Sequence, residues 1–409
     1  MSESGCFCLF SCSFFSETIP VYEKERADAG DFKECLYYCA MTTKRFKVLG
    51  LMSGTSLDGL DIALCDFHFA EGRWHVETLA AETSTYTEAF RTQLLQAMTL
   101  PGEALTALDR SFGAFQGKAV AAFLQKHALQ ADLVSAHGHT VFHNPAQGYT
   151  LQIGNGAALH AACGIPVVCD LRSLDVALGG QGAPLVPLGD ALLYPDYQGC
   201  LNLGGIANIS LVHPTHTIAF DICAVNMALN LFAEKTGKAY DAGGQMARGG
   251  VFIPALAEAL DALPFYTKPY PKSIGREWVE ASVLPLIEPY LHTADIKDLM
   301  HTYTLHAAGQ IARELNLNTA HLPAAAILVS GGGAFHEFLI EQIRLRSDKQ
   351  LSIVVPDAHT IQFKEAIIFA FLGLLRMLNL TNTKSTVTGA SEDCVSGAVY
   401  GNFNAFYEV

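Results

Sequence analysis

The stretch Val48-Leu-Gly-Leu-Met-Ser-Gly-Thr-Ser-Leu-Asp-Gly-Leu-Asp-Ile-Ala-Leu64 decides the fold. An apolar run breaks at a loop of small and polar residues and then resumes, which reads as two strands closing on a Gly54-Thr55-Ser56 turn. Such a turn gathers backbone N–H groups, two hydroxyls and a carboxylate at one point, which is how a phosphate and its magnesium ion are held. Gly54 and Gly59 would equally serve a tight hairpin with no ligand. Further along, Gly199-Cys-Leu-Asn-Leu-Gly-Gly-Ile-Ala-Asn-Ile-Ser-Leu-Val212 repeats the design: strand, Gly-Gly turn with Asn, strand. This reads as an internal duplication, two domains facing each other across a cleft and gripping a polyphosphate from both sides.

Composition fits an enzyme-sized globular protein. The chain has 409 residues, half of them hydrophobic, enough for two domains with sizeable cores. A formal charge of −14 leaves no basic footprint for nucleic acid, and no Lys/Arg run marks a membrane surface. The expected partner is a small molecule, and an anionic one would need local positive groups against the overall field. The eleven cysteines lack CxxC pairing, which argues for reduced thiols in the cytoplasm. Residues 1–40 are Cys-, Phe- and Ser-rich and then charged, and Met41 reads as a natural start, so this segment is expected to be a disordered or non-native extension. A signal peptide is disfavoured, because no Lys or Arg precedes Cys6–Phe15. No run of 18 apolar residues occurs; Glu365–Leu378 is shorter and carries Arg376.

Taken in order, strands are expected at Ile62–Phe69 and Arg73–Leu79, and helices at Glu88–Met98, Leu105–Leu129 and Gly154–Cys163. His137, His139 and His143 follow a short strand without carboxylate or cysteine at ligand spacing, so they read as polar groups at a cleft edge rather than a metal site. Asp170, Arg172 and Asp175 cluster at a strand's C-terminal end, where open α/β folds place ligands, or they form a structural pair closing the Gly179–Gly182 loop. Asp221 ends a short apolar strand: a candidate general base, or a cap for the helix opened by Asn226. Helical spacing continues over Val283–Leu291 and Tyr303–Leu315. Gly331-Gly332-Gly333 at a strand-to-helix turn either lets a flat base lie on backbone or puts a phosphate at the helix N-terminus. Glu365 is expected in the first turn of an apolar helix, where a carboxylate usually serves the helix dipole.

Six motifs in this order, Leu51–Asp61, Ser135-Ala-His-Gly138, Gly179–Pro187, Asn202–Asn208, Pro271-Lys-Ser-Ile-Gly-Arg-Glu277 and Gly331–Phe335, resemble those of the anhydro-N-acetylmuramic acid kinase family, over residues 46 to 400 or so. That family lies in the superfamily of sugar kinases, heat-shock chaperones and actin. The resemblance implies an α/β, two-domain actin-like ATPase (ribonuclease H-like) fold with duplicated mixed sheets flanked by helices and an interdomain cleft. Domain I would take residues 41–185 and 385–409, domain II residues 186–384. The implied reaction uses ATP and magnesium to open the 1,6-anhydro bridge while phosphorylating O6, giving N-acetylmuramic acid 6-phosphate in cell-wall recycling. Asp221 would activate the water that attacks C1, with Glu365 assisting at the sugar. Gly54, Thr55, Ser56, Leu57, Asp58, Gly59, Leu60 and Asp61 would hold the ATP phosphates, with Asp58 at the magnesium, directly or through water. Gly204, Gly205, Asn208 and Gly331–Gly333 would complete the nucleotide site, and His137, Arg172 and Asn226 would meet the sugar. A homodimer is common among such kinases. One departure stands out: the family follows its base with Thr-Gly-Pro-Gly-Asn, where this chain has Ile222-Cys-Ala-Val-Asn226. A smaller one puts His139 where Gln is common. Other readings are a sugar or acid kinase without ring cleavage, a protein-directed ATPase of the same fold, and a non-catalytic ATP-binding member.

Overall fold

The structure is a computed structural model that describes residues 44–54, 57, 59–212 and 217–407. The N-terminal segment, with the extension expected there, and Thr55, Ser56 and Asp58 lie outside the described residues.

Thirteen strands are described, in chain order β1 (Arg45–Met52), β2 (Gly59–Ala70), β3 (Arg73–Thr85), β4 (Leu133–Ala136), β5 (His139–Asn144), β6 (Tyr149–Ile153), β7 (Val167–Cys169), β8 (Gly199–Leu203), β9 (Ile206–Val212), β10 (Thr217–Ala224), β11 (Ala325–Ser330), β12 (Leu351–Val354) and β13 (Ala398–Tyr400). Contacts divide the chain into two compact units, one running to Leu193 and resuming at Glu365, the other Tyr194–Lys364.

The first unit holds a six-stranded sheet ordered β13-β7-β4-β1-β2-β3, and the second a five-stranded sheet ordered β10-β9-β8-β11-β12. In each, three consecutive strands form an antiparallel meander, and two later strands add in parallel beside the meander's first strand. The shared 3-2-1-4-5 order is the duplicated ribonuclease H-like sheet of the actin-like ATPases. The parallel strands β4, β7 and β11 are almost wholly buried, as strands covered on both faces must be.

The units separate at Leu193/Tyr194 and Lys364/Glu365 rather than at 185/186 and 384/385. Packing explains both shifts. The helix Val186–Leu193 lies against the first unit, with Gly189 on Ile368, and the apolar helix Ala358–Met377 from Glu365 onward lies on the first sheet. That helix comes so close to β1 that a Cβ at Gly50 would stand 1.8 Å from the Ala366 carbonyl oxygen. By length and composition it could cross a membrane, but it is mostly buried within the protein. The helix expected at Val283–Leu291 is broken into a π-turn, one α-turn and a 3-10 turn, as Pro285 and Pro289 remove backbone donors.

Candidate functional site

In the first unit, the loop after β1 is anchored from below. Ser53 is buried; its hydroxyl accepts from Tyr86 Oη at 2.8 Å and lies 3.3 Å from His139 Nδ1. The turn closes through Leu57 N–H to the Gly54 carbonyl at 3.4 Å, and Leu57 takes a left-handed φ of 55°. The side chains of Leu57 and Leu60 are in the core, so only their backbone can reach a ligand. Asp61 sits in β2, where its Oδ1 accepts from Thr83 Oγ1 at 2.5 Å.

Beyond β4, His137 and Arg172 lock together. Arg172 donates from Nε and Nη2 to His137 Nε2 at 3.0 and 2.8 Å, and from Nη1 to the Gly182 carbonyl at 2.6 Å. Because Arg172 only donates, His137 Nε2 must accept, so the proton sits on Nδ1 and is given to the Gly138 carbonyl at 2.9 Å. Burial, and then the neighbouring guanidinium, hold the His137 pKa well below its ordinary value. His137, expected at the sugar, therefore has both nitrogens engaged within the chain and serves to orient Arg172. Burial pushes Arg172 down to about 10, with the charges of Glu365 and Asp175 opposing, so it stays cationic at neutral pH.

Glu365 is not in a first turn. Asp357 starts its helix, accepting from the N–H groups of His359 and Thr360, and Glu365 stands two turns further in, half-buried. One turn on, Phe369 lies under the Arg172 guanidinium at 5.9 Å. A dipole role is thus excluded, and the helix instead carries a carboxylate toward the Arg172 charge. Asp175, which the sequence left as ligand contact or loop closure, is a closure: fully buried, it accepts from Gly182 N–H at 2.7 Å and Thr388 Oγ1 at 2.6 Å.

In the second unit, register gathers the polar residues. Ser330 pairs with Asn202, Asn202 with Asn208 and Asn208 with Asp221, a row crossing four neighbouring strands. The Gly204-Gly205 turn accepts through its carbonyls from the N–H groups of Val225, Asn226 and Met227, while Asn226 Nδ2 donates to Leu203 O at 3.1 Å. Gly331, at φ 79° and ψ 163°, lies against Asn202 and Leu203, in backbone space that glycine alone occupies without strain. The three glycines lead into a 3-10 turn, and the α-helix starts only at Glu337, where His336 Nδ1 caps Leu339 N–H. The helix start is thus already capped, His336 taking one of its free N–H groups.

Asp221 is held by one oxygen. Its Oδ2 accepts from Ile274 N–H at 2.9 Å and Ser273 Oγ at 3.0 Å, and Oδ1 has no donor among the described residues. Burial raises its pKa, partly offset by those two bonds. Residues 222–225 need no glycine here: none has positive φ, all four are buried, and a bulge after Asp221 carries the strand on to Ala224, whose carbonyl accepts from Tyr303 Oη at 3.1 Å. The departure from the family motif is thus taken up as core packing, and Asn226 keeps its place beside the glycine turn. The sequence offered no hint of Ser53, Tyr86 or His139 as loop supports, nor of what Lys272 does, since each acts through a partner distant in sequence.

A family model described as anhydro-N-acetylmuramic acid kinase matches residues 46–402. The anhydro-N-acetylmuramic acid kinase of Shewanella sediminis is 34% identical over 381 residues, covering 88% of this chain and 99% of its own. That of Pasteurella multocida is 36% identical over 368 residues, covering 86% and 96%. Among solved structures, a ROK family glucokinase from Streptomyces griseus is 13% identical, with a TM-score of 0.37, covering 80% of this chain and 98% of its own.

Proposed function

The chain belongs to the anhydro-N-acetylmuramic acid kinase family, and from that premise we propose how its residues carry the reaction. The substrate is 1,6-anhydro-N-acetylmuramic acid and the phosphoryl donor is ATP. A water attacks C1 and gives its proton to Asp221, the C1–O6 bond breaks, and O6 takes the γ-phosphoryl group, leaving ADP and N-acetylmuramic acid 6-phosphate. This serves peptidoglycan recycling in the cytoplasm, a placement that the buried Cys65, Cys169, Cys223 and Cys394, none of them in a disulfide, suit.

The observation that carries the reading is the asymmetry of Asp221: Oδ2 is fixed by two donors and Oδ1 is left to accept a proton. A base must be ionised yet able to take a proton; burial raises its proton affinity while the two bonds keep the carboxylate form accessible. Arg172, fixed by His137 and Gly182, supplies a positive group for the acidic sugar, and Glu365 acts beside it. The Gly204-Gly205 and Gly331–Gly333 turns hold the nucleotide, with Asn208 and Asn226 beside them, and the loop from Gly54 to Asp61 meets the phosphates. Magnesium, when bound, neutralises phosphate charge, and it needs only one or two protein carboxylates. Asp58, the carboxylate assigned to it, lies outside the described residues.

The test is turnover in ¹⁸O-labelled water with magnesium-ATP and the anhydro sugar, followed by mass spectrometry. The product should gain one phosphate and one ¹⁸O at C1, and Asp221→Asn should lose on the order of 10²-fold or more in kcat. A phosphorylated product without ¹⁸O would rule out hydrolytic opening.

A further inference from the structure

Asp221 is held by a segment that is itself held by buried charge. Asp221 N–H donates to the Lys272 carbonyl at 3.0 Å, and the next two residues, Ser273 and Ile274, grip its Oδ2. The Lys272 side chain turns the other way, into the unit. Its ammonium is almost fully buried, 2.8 Å from Glu314 Oε1 on the long helix Ile296–Thr319, and lies over the rings of Phe220 and Phe265 at 5.6 and 5.3 Å. Phe220 precedes Asp221 in β10 and stacks on Tyr270 at 5.5 Å. A buried ion pair adds little stability over an apolar pair of the same volume, and its documented use is to fix one arrangement among several. What is fixed here is the segment carrying both donors to the carboxylate.

We propose that the buried Lys272–Glu314 ion pair is a positioning element of the reaction, locking residues 271–274 onto β10 so that Asp221 presents Oδ1 to the water. The inference rests on the reading of Asp221 as the base. Lys272 does not itself touch the reacting atoms; it acts through Ser273 and Ile274.

Lys272→Met alone leaves the largely buried Glu314 carboxylate with only Asn318 Nδ2, at 3.5 Å, as a side-chain donor among the described residues, and can fail to fold for that reason. The informative variant is Lys272→Met/Glu314→Leu in the full chain, beside wild type and Asp221→Asn, with thermal melting, ¹⁸O product analysis and kcat against pH. The double variant should melt at or above wild type, keep its KM for ATP within about two-fold, and lose on the order of 10- to 10²-fold in kcat, the range a misplaced catalytic group costs. Its acid limb should also move to higher pH, because a slack segment withdraws the two donors that favour ionised Asp221. Cys223, a titratable neighbour of Asp221, is buried with its thiol pushed far up, so it does not contribute to that limb. A double variant with wild-type kcat, or one with reduced kcat and an unmoved limb, would overturn the positioning role. Asp221→Asn retaining ring opening would instead remove the base assignment beneath it, whatever the double variant does.

Discussion

At the scale of single residues, the site works by fixing protons and charges before any ligand arrives. His137 is kept neutral because Arg172 occupies its Nε2, and a neutral buried histidine has a consequence for stability. Its folded pKa lies below the ordinary value of 6.5, so on acidification the unfolded chain takes up this proton first. The stability His137 contributes is complete above about pH 6.5 and is lost as pH falls from there toward its folded pKa, with a slope approaching about 1.4 kcal/mol per pH unit. His137→Gln keeps an acceptor for Arg172 and a donor for Gly138 without titrating. Urea unfolding at pH 7.5 and pH 5.5 should therefore show a smaller acid loss in His137→Gln than in wild type; equal losses would mean His137 is protonated in the fold. Burial also lowers His139 and His336, so the variant flattens the dependence without abolishing it. Asp221 and Arg172 stand out in the sequence as candidates, a lone carboxylate ending an apolar strand and an arginine between two aspartates, whereas Glu365 is singled out only by the family resemblance. The tautomer of His137 could not, because it is set by a guanidinium 35 residues away.

At the scale of elements, close backbone approaches place the functional groups. Gly50→Ala would drive a methyl into the Ala366 carbonyl and lift the helix that carries Glu365 off β1. Overpacking of this kind costs about 1–3 kcal/mol or more, so the variant should melt lower and show a raised KM for the sugar. An unchanged sugar KM in a destabilised protein would separate Glu365 from substrate binding. The glycine turn gives a paired test. Gly331→Ala puts a side chain in strained backbone against Leu203 and should lose about 1–3 kcal/mol of stability. At Gly332 a Cβ would meet, among the described residues, only Asn226 Nδ2, at 3.7 Å, so Gly332→Ala should fold as wild type yet weaken ATP binding, measured by calorimetry, if a ring lies on this turn. The strand–turn–strand hairpins were legible because alternation from apolar run to Gly-rich loop is local. The position of Glu365 in its helix was misread because the unbroken apolar run begins only at Ala366, whereas the helix starts at Ala358; once Asp357 is taken as the cap, the two-turn offset follows. Likewise the helix after the triple glycine starts late because His336 supplies the cap.

At the scale of the molecule, the duplicated sheet order makes each unit a complete fold with its own core. The second unit's core joins strands β8 to β12 to the Ile296–Thr319 helix, and the first unit's centres on β1, β2 and β4. The duplication was visible in sequence because both hairpins use one pattern; the unit boundaries were not, since nothing local marks Lys364/Glu365 inside a continuous helix. Separate cores linked by few chain crossings form separable cooperative units. Calorimetry of the whole protein should then resolve two transitions, and core truncations should assign them. Val329→Ala, in the fully buried centre of β11, should lower one transition, and Ile62→Ala, in β2, the other. Loss of methyl groups at such sites costs about 2–5 kcal/mol for Ile→Ala and less for Val→Ala, so the shift at Ile62 should be the larger. If either truncation moved both transitions together, the two halves would be one thermodynamic unit, and the duplication would describe the ancestry of the fold without describing how it holds together.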